Sequence, residues 1–189
     1  MELKIKVLPD DFPTPTEPRL RLVYLIARAT GLRESEIMHL RIEDVLDENG
    51  NVRPVVRVLG KRKKWAGVRW GPDLRRQTAD YLAKHRPGVK QGWLFTSTNY
   101  GKDREQRWTE KGMTASWRKW QRDNNIIPPF NFHCTRHTAI TRFLKATGNI
   151  KLTQMFARHS SLAMTGLYLH PTENELWEAV DKIEKEGIQ

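Results

Sequence analysis

Six residues along this 189-residue chain are of the types needed to attack a phosphodiester: Arg33, Lys61, His133, Arg136, His159 and Tyr168. Attack on phosphorus builds negative charge on the non-bridging oxygens while the leaving oxygen departs in line. Guanidinium groups hold such oxygens through forked, charge-assisted hydrogen bonds and stay cationic at any working pH. Arg33 and Arg136 suit that task. A phenol has a reference pKa of about 10 and is a poor nucleophile when neutral, so Tyr168 needs a base or a cationic site that favours phenolate. The departing alkoxide needs a proton, which a lysine gives up more readily than an arginine. Each residue also has an ordinary reading. Arg33 could be a surface arginine at a helix start, the histidines satisfied structural imidazoles and Tyr168 a half-buried aromatic. His-x-x-Arg alone says little, and its weight comes from conjunction with His159 at 26 residues and Tyr168 at 35 residues beyond His133.

The local contexts are Thr30-Gly31-Leu32-Arg33-Glu34-Ser35-Glu36, Gly60-Lys61, His133-Cys134-Thr135-Arg136-His137-Thr138, and His159-Ser160-Ser161 followed by Tyr168. In this order they resemble the catalytic domain of the tyrosine recombinase (phage integrase) family, from about Leu22 to His170. The resemblance implies that Tyr168 attacks a DNA strand, forms a 3′-phosphotyrosyl link and releases a 5′-hydroxyl, with no metal, ATP or other cofactor. It makes His133 the candidate proton acceptor and places His159 on the scissile phosphate. Lys61 matches the hairpin lysine that acts as general acid, with Lys63 the alternative. Arg62, Lys63 and Lys64 crowd the same tip, where such a run reads as a phosphate-contacting DNA surface. Glu36 either braces Arg33 across a helical turn or makes a routine i,i+3 ion pair. His170 could touch DNA or cap a helix.

The implied partners are double-stranded DNA and further copies of the chain, as a homo-tetramer on two DNA sites. The family usually has Leu-Gly before the second histidine, where this chain has Ala157-Arg158. Members also carry an N-terminal core-binding domain, and the roughly 20 residues before the first helix are too few for one. Two rivals remain: a type IB topoisomerase-like relaxer using the same chemistry, and a DNA-binding protein without strand-transfer activity.

The formal net charge of +11 argues for a polyanionic partner, nucleic acid or an anionic membrane surface. No apolar run approaches the ~18 residues of a membrane span, and Met1 to Lys6 has no apolar signal-peptide core. DNA is therefore favoured over membrane, in a cytoplasmic, DNA-associated setting. The sole cysteine, Cys134, excludes an internal disulfide and reads as a small buried helix residue. No Cys/His set has zinc spacing, and Asp10-Asp11 and Glu43-Asp44 are isolated pairs, so a metal site is unsupported.

The elements that must position these residues are mainly α-helical with one small antiparallel β-sheet, an α+β fold. Residues 1–18 form an irregular lead-in containing Pro13, Pro15 and Pro18. A catalytic domain spans 19–171, and 172–189 form a C-terminal helix able to touch another subunit. Leu22, Leu25, Ile26 and Ala29 predict a helix over 19–29 that Gly31 caps. A short helix follows over 34–40. Val52 to Leu59 reads as a strand, Lys61 to Lys64 as the hairpin tip and Trp65 to Trp70 as its return. Pro72 opens a helix carrying Leu74, Ala79 and Leu82, stopped by Pro87-Gly88. Trp93 to Phe95 is a short buried segment and 98–111 an exposed loop. Helices are expected over 112–123, 134–147 and 151–158, and from Thr172, whose hydroxyl and Glu175 fit a capping box. Leu176, Val180 and Ile183 give that last helix an apolar stripe.

Overall fold

Pro18 cannot continue a hydrogen-bonded chain, but its fixed φ suits the first helical turn, and the Glu17 carboxylate accepts from the Arg19 and Leu20 amides. Helix α1 (Pro18–Thr30) starts there in the computed structural model, which describes residues 5–60, 64–97, 106–169 and 173–186. Gly31 ends it at φ 61°, a left-handed conformation that a Cβ would strain. A Cβ there would also lie 3.1 Å from the Phe156 ring. Leu20, Leu22, Val23, Tyr24, Ile26 and Ala27 are all buried, so α1 is central rather than one-faced, while Ala29 points outward. The lead-in is irregular but fixed: Leu8 and Phe12 sit in the core, and the Leu8 amide donates to Thr138 Oγ1 at 2.8 Å.

Helices α2 (Glu34–Met38) and α3 (Ile42–Val45) follow. α2 stops before the expected Leu40, and the four-residue α3 is too short for periodicity to reveal. Strands β1 (Val55–Leu59) and β2 (Trp65–Arg69) pair antiparallel with Val55 opposite Arg69 and Leu59 opposite Trp65. Their alternation turns Val56, Val58 and Val68 inward. The strand begins three residues later than Val52, after Pro54, which lacks the amide proton a ladder needs. Lys61, Arg62 and Lys63 lie outside the described residues; the flanking Gly60 amide donates to the Lys64 carbonyl at 2.8 Å.

Helix α4 (Pro72–His85) buries Leu74, Thr78, Tyr81 and Leu82, with Ala79 exposed. Leu94 and Phe95 are buried as expected, and Trp93 lies under the Arg41 and Arg107 guanidiniums. Helix α5 (Glu110–Asp123) begins inside the expected loop, because the Thr109 hydroxyl caps it by accepting from Gly112 N–H. Then come α6 (His133–Thr147), α7 (Ile150–Ala157), α8 (Leu162–Gly166) and α9 (Glu173–Glu186). Gly148 caps α6 at φ 60°. Thr172 and His170 lie outside the described residues.

Phe12, Tyr24, Trp117, Trp120, Phe130 and Phe132 meet ring against ring in the main core. A second, small cluster of Ile140, Leu144, Ala157 and Tyr168 lies between α6 and α7. α6 packs on α1 and α7, and α7 on α8, which brings the Gly31 turn, the start of α6 and the α7–α8 connection together. Among the described residues no helix is long and apolar enough to cross a membrane.

Candidate active site

Arg33, His133, Arg136, His159 and Tyr168 line one cavity of about 520 Å³, although they come from four places in the chain. Arg33 caps α2, and Glu36 within that helix is only 4 % exposed. Both Glu36 oxygens are used. One accepts from the Arg33 guanidinium at 3.1 Å, and the other from the Arg33 amide at 2.7 Å and from Arg158 Nη2 at 2.8 Å. The carboxylate is therefore more than a routine i,i+3 partner, since it joins the α2 turn to the end of α7.

Arg136 is 3 % exposed and anchors differently. Its Nη1 donates to the Gly31 carbonyl and its Nη2 to the Ala157 carbonyl at 2.6 Å. These are the C-terminal ends of α1 and α7, where the helix dipoles leave partial negative charge. Burial, then Arg33 and Arg158, pull its pKa down to about 10, so it remains cationic at neutral pH.

The aromatic groups face this charge. His133 sits exposed at the cavity mouth, one helical turn from His137, and their rings meet edge to face at 4.5 Å. Partial loss of hydration, then Arg136 and Arg33, hold its pKa below the ordinary imidazole value. His159 is pushed down to about 4 by burial and by Arg136, Arg33 and Arg158, and its Nδ1 lies 3.0 Å from Thr165 Oγ1. Tyr168 is buried, and loss of hydration raises its pKa although Arg136 and Arg33 oppose the rise. The phenol is thus protonated at neutral pH, with two cations near enough to favour its ionised form.

Lys61, the expected general acid, lies outside the described residues, as do Arg62 and Lys63. The described end of the hairpin nevertheless reaches this region, for a Cβ on Gly60 would stand 3.9 Å from Glu36 Oε1. Lys64 is exposed and does not line the cavity. Cys134 is buried, and burial raises its thiol pKa, the reverse of an activated nucleophile. Among the described residues no group of three or more His, Cys, Asp or Glu is placed to hold a metal.

Two residues without a role in the sequence reading stand at the site. His137 Nδ1 is 2.7 Å from the Tyr168 hydroxyl. Its position four residues after His133 puts both on one helix face, a signal available in the sequence. Arg158 occupies the left-handed region at φ 54°, and its guanidinium fills the space beside Glu36. The Ala157-Arg158 departure foreshadowed this, because a glycine adopts such a backbone without strain.

A sequence profile described as the phage integrase family matches residues 4–175. The chain is 29% identical over 181 residues to a tyrosine recombinase XerD of Corynebacterium glutamicum, covering 93% of this chain and 56% of that protein. It is 29% identical over 160 residues to a tyrosine recombinase XerC of Staphylococcus carnosus, covering 84% and 51%. It spans about half the length of these relatives. In fold it is similar to a XerH site-specific recombinase bound to a palindromic difH substrate in a post-cleavage complex (TM-score 0.70, 21% identity, 96% of this chain and 54% of that one). It is also similar to the Tn1549 transposon integrase in complex with transposon right end DNA (TM-score 0.70, 19% identity, 97% and 67%). With the profile running across nearly the whole sequence and these neighbours sharing the fold, the chain belongs to the phage integrase family.

Proposed function

We propose that this chain is the catalytic part of a site-specific DNA recombinase, spanning 19–171 and followed by a helical segment, 172–189, that contacts another copy. The observation that carries the reading is the gathering of Arg33, His133, Arg136, His159 and Tyr168 around one cavity. Tyr168 Oη attacks the phosphorus, Arg33 and Arg136 bind the non-bridging oxygens, and His159 donates a hydrogen bond to the phosphate. Lys61, or Lys63 if the tip is differently arranged, protonates the 5′-oxygen as it leaves. The 5′-hydroxyl of a second strand then reverses the step. Energy is retained in the phosphotyrosyl ester, so the cycle needs neither metal nor ATP.

The net charge of +11 supports duplex DNA as the partner, with Arg62, Lys63 and Lys64 on its phosphates. Recombination between two sites calls for four copies. The exposed Leu176, Trp177, Val180 and Ile183 on α9 support that segment as the contact between them. Incubation with a nicked suicide duplex, whose short cleaved fragment diffuses away, tests the proposal. A protein–DNA adduct mapping to Tyr168, absent in Tyr168→Phe while duplex binding persists, is expected. An adduct that survives in Tyr168→Phe rules out this nucleophile.

A further inference from the structure

At 2.7 Å the Tyr168 hydroxyl and His137 Nδ1 share a hydrogen bond, in which the phenol donates when the neutral ring carries its proton on Nε2. The other basic groups of the cavity make different contacts, with Arg33 paired to Glu36 and the His159 ring stacked on that of Tyr168. His133 packs its ring against His137, His159 Nδ1 meets Thr165, and Arg136 is bonded to two carbonyls. Among the described residues, the imidazole in bonding reach of the nucleophile is therefore His137 rather than His133. A nucleophile and a base within hydrogen-bond distance are the usual mark of an activated pair.

We infer that His137 is a further catalytic residue, the neutral imidazole whose Nδ1 takes the Tyr168 proton as the Oη–P bond forms. The inference rests on the strand-transfer reading. In the step, the Oη–H bond breaks and an Nδ1–H bond forms, while Oη–P forms and P–O5′ breaks. The departing 5′-oxygen takes its proton from the hairpin lysine, and no group is oxidised or reduced. On religation His137 returns the proton to Oη. Nδ1 can accept only if the neutral ring carries its proton on Nε2. Burial, with His133, Arg136 and His159 nearby, holds His137 down to about 4, so it is neutral at working pH and free to accept. The arriving phosphodiester brings negative charge that favours the imidazolium form. Proton acceptance is thereby favoured when DNA occupies the cavity.

Single-turnover adduct formation on the nicked duplex tests the role with wild type, His137→Ala and His137→Asn. His137→Ala should slow the step by about 10²-fold or more, the usual span of general-base losses, with duplex affinity unchanged. His137→Asn presents an oxygen able to hold the phenol but unable to keep its proton, and should be slowed comparably. An indifferent His137→Ala, or an Asn variant near the wild-type rate, overturns the role. An activity-independent readout is the nitrogen-15 spectrum of His137 in the DNA-free protein at neutral pH. An unprotonated Nδ1 with a protonated Nε2 is expected, and the opposite tautomer overturns the assignment even if both variants misfold. A wild type that forms no adduct overturns the strand-transfer reading and this role together, whereas an active wild type with an indifferent His137→Ala overturns this role alone.

Discussion

Trp117 contacts Phe12, Tyr24, Trp120 and Phe132 ring to ring and donates its indole N–H to the Phe130 carbonyl at 2.8 Å. Tyr168 sits in a cluster whose other buried members, among the described residues, are Ile140, Leu144 and Ala157, and the α8 turn preceding it leaves Leu162, Met164 and Leu167 exposed. The two regions hold different parts of the site. Arg33 and Glu36 are carried on elements rooted in the large core, and Arg136 is locked by two helix ends. Tyr168, the proposed nucleophile, follows a five-residue helix and packs into the small cluster rather than the large core. Charge stabilisation works best when it is preorganised, whereas a nucleophile that must approach phosphorus and later leave it benefits from a softer mount.

Truncation gives the largest expected contrast. Trp117→Ala should cost about 3–5 kcal/mol of unfolding free energy, the range for a buried aromatic, and Leu167→Ala within about 0.5 kcal/mol, as for surface substitutions. Denaturant melts check this, and amides of α8 should exchange with solvent faster than those of α1. Equal costs in the two variants would remove the distinction between a rigid frame and a soft mount.

Acidification is next, and it probes the junction of the two regions. His137 and His159 are both held down to about 4 in the folded protein. The unfolded chain binds more protons between the ordinary imidazole value and that figure, so stability falls as pH drops through this window. After allowing for partial exposure and for the influence of each on the other, the pair should account for about 2–4 kcal/mol between pH ~7 and ~4. Melts of His137→Asn and His159→Asn should each flatten part of the dependence. A slope unchanged in both variants would assign the acid loss to other groups.

The smallest effect belongs to Arg158. Arg158→Gly relieves a left-handed backbone costing about 1 kcal/mol and loses a partly exposed ion pair of similar worth, so net stability should move by less than about 1 kcal/mol. Adduct formation should fall more than stability does, because Glu36 loses the contact that ties α2 to the end of α7. A variant as fast as wild type would show that Arg33 is positioned by Glu36 alone.

Much of this arrangement was legible in the sequence because the signals were local. Gly31 announced the end of α1, Pro72 the start of α4, and the run from Val52 to Leu59 the first strand of the sheet. α3 and α8 escaped because four or five residues contain little more than one turn of periodicity. The six candidate residues were recognisable by type and order. Glu36 beside Arg33 was legible too, one helical turn away, but the other partners were not, because they are set by packing between elements far apart in sequence. The Tyr168–His137 bond spans 31 residues and the Arg158–Glu36 bond 122. Spacing singled out Tyr168 as the candidate nucleophile but could not distinguish which imidazole on the α6 face its hydroxyl meets.

The anchoring of Arg136 by carbonyl oxygens has a thermodynamic side. Carbonyl dipoles satisfy its donors without cancelling its formal charge, and among the described residues no carboxylate pairs with it. An anion entering the cavity meets a net cation whose burial the folded state already tolerates at some cost, and the unfolded chain offers no equivalent site. Mass action then ties occupancy to folding: a ligand bound only by the native state raises its stability by about 2.7 kcal/mol at a hundredfold excess over Kd. Even inorganic sulfate should raise the Tm, and a DNA phosphate held at the same place should raise it further. The polyanion proposed as its partner would then also serve as a folding ligand, leaving the free protein in the less stable of its two states.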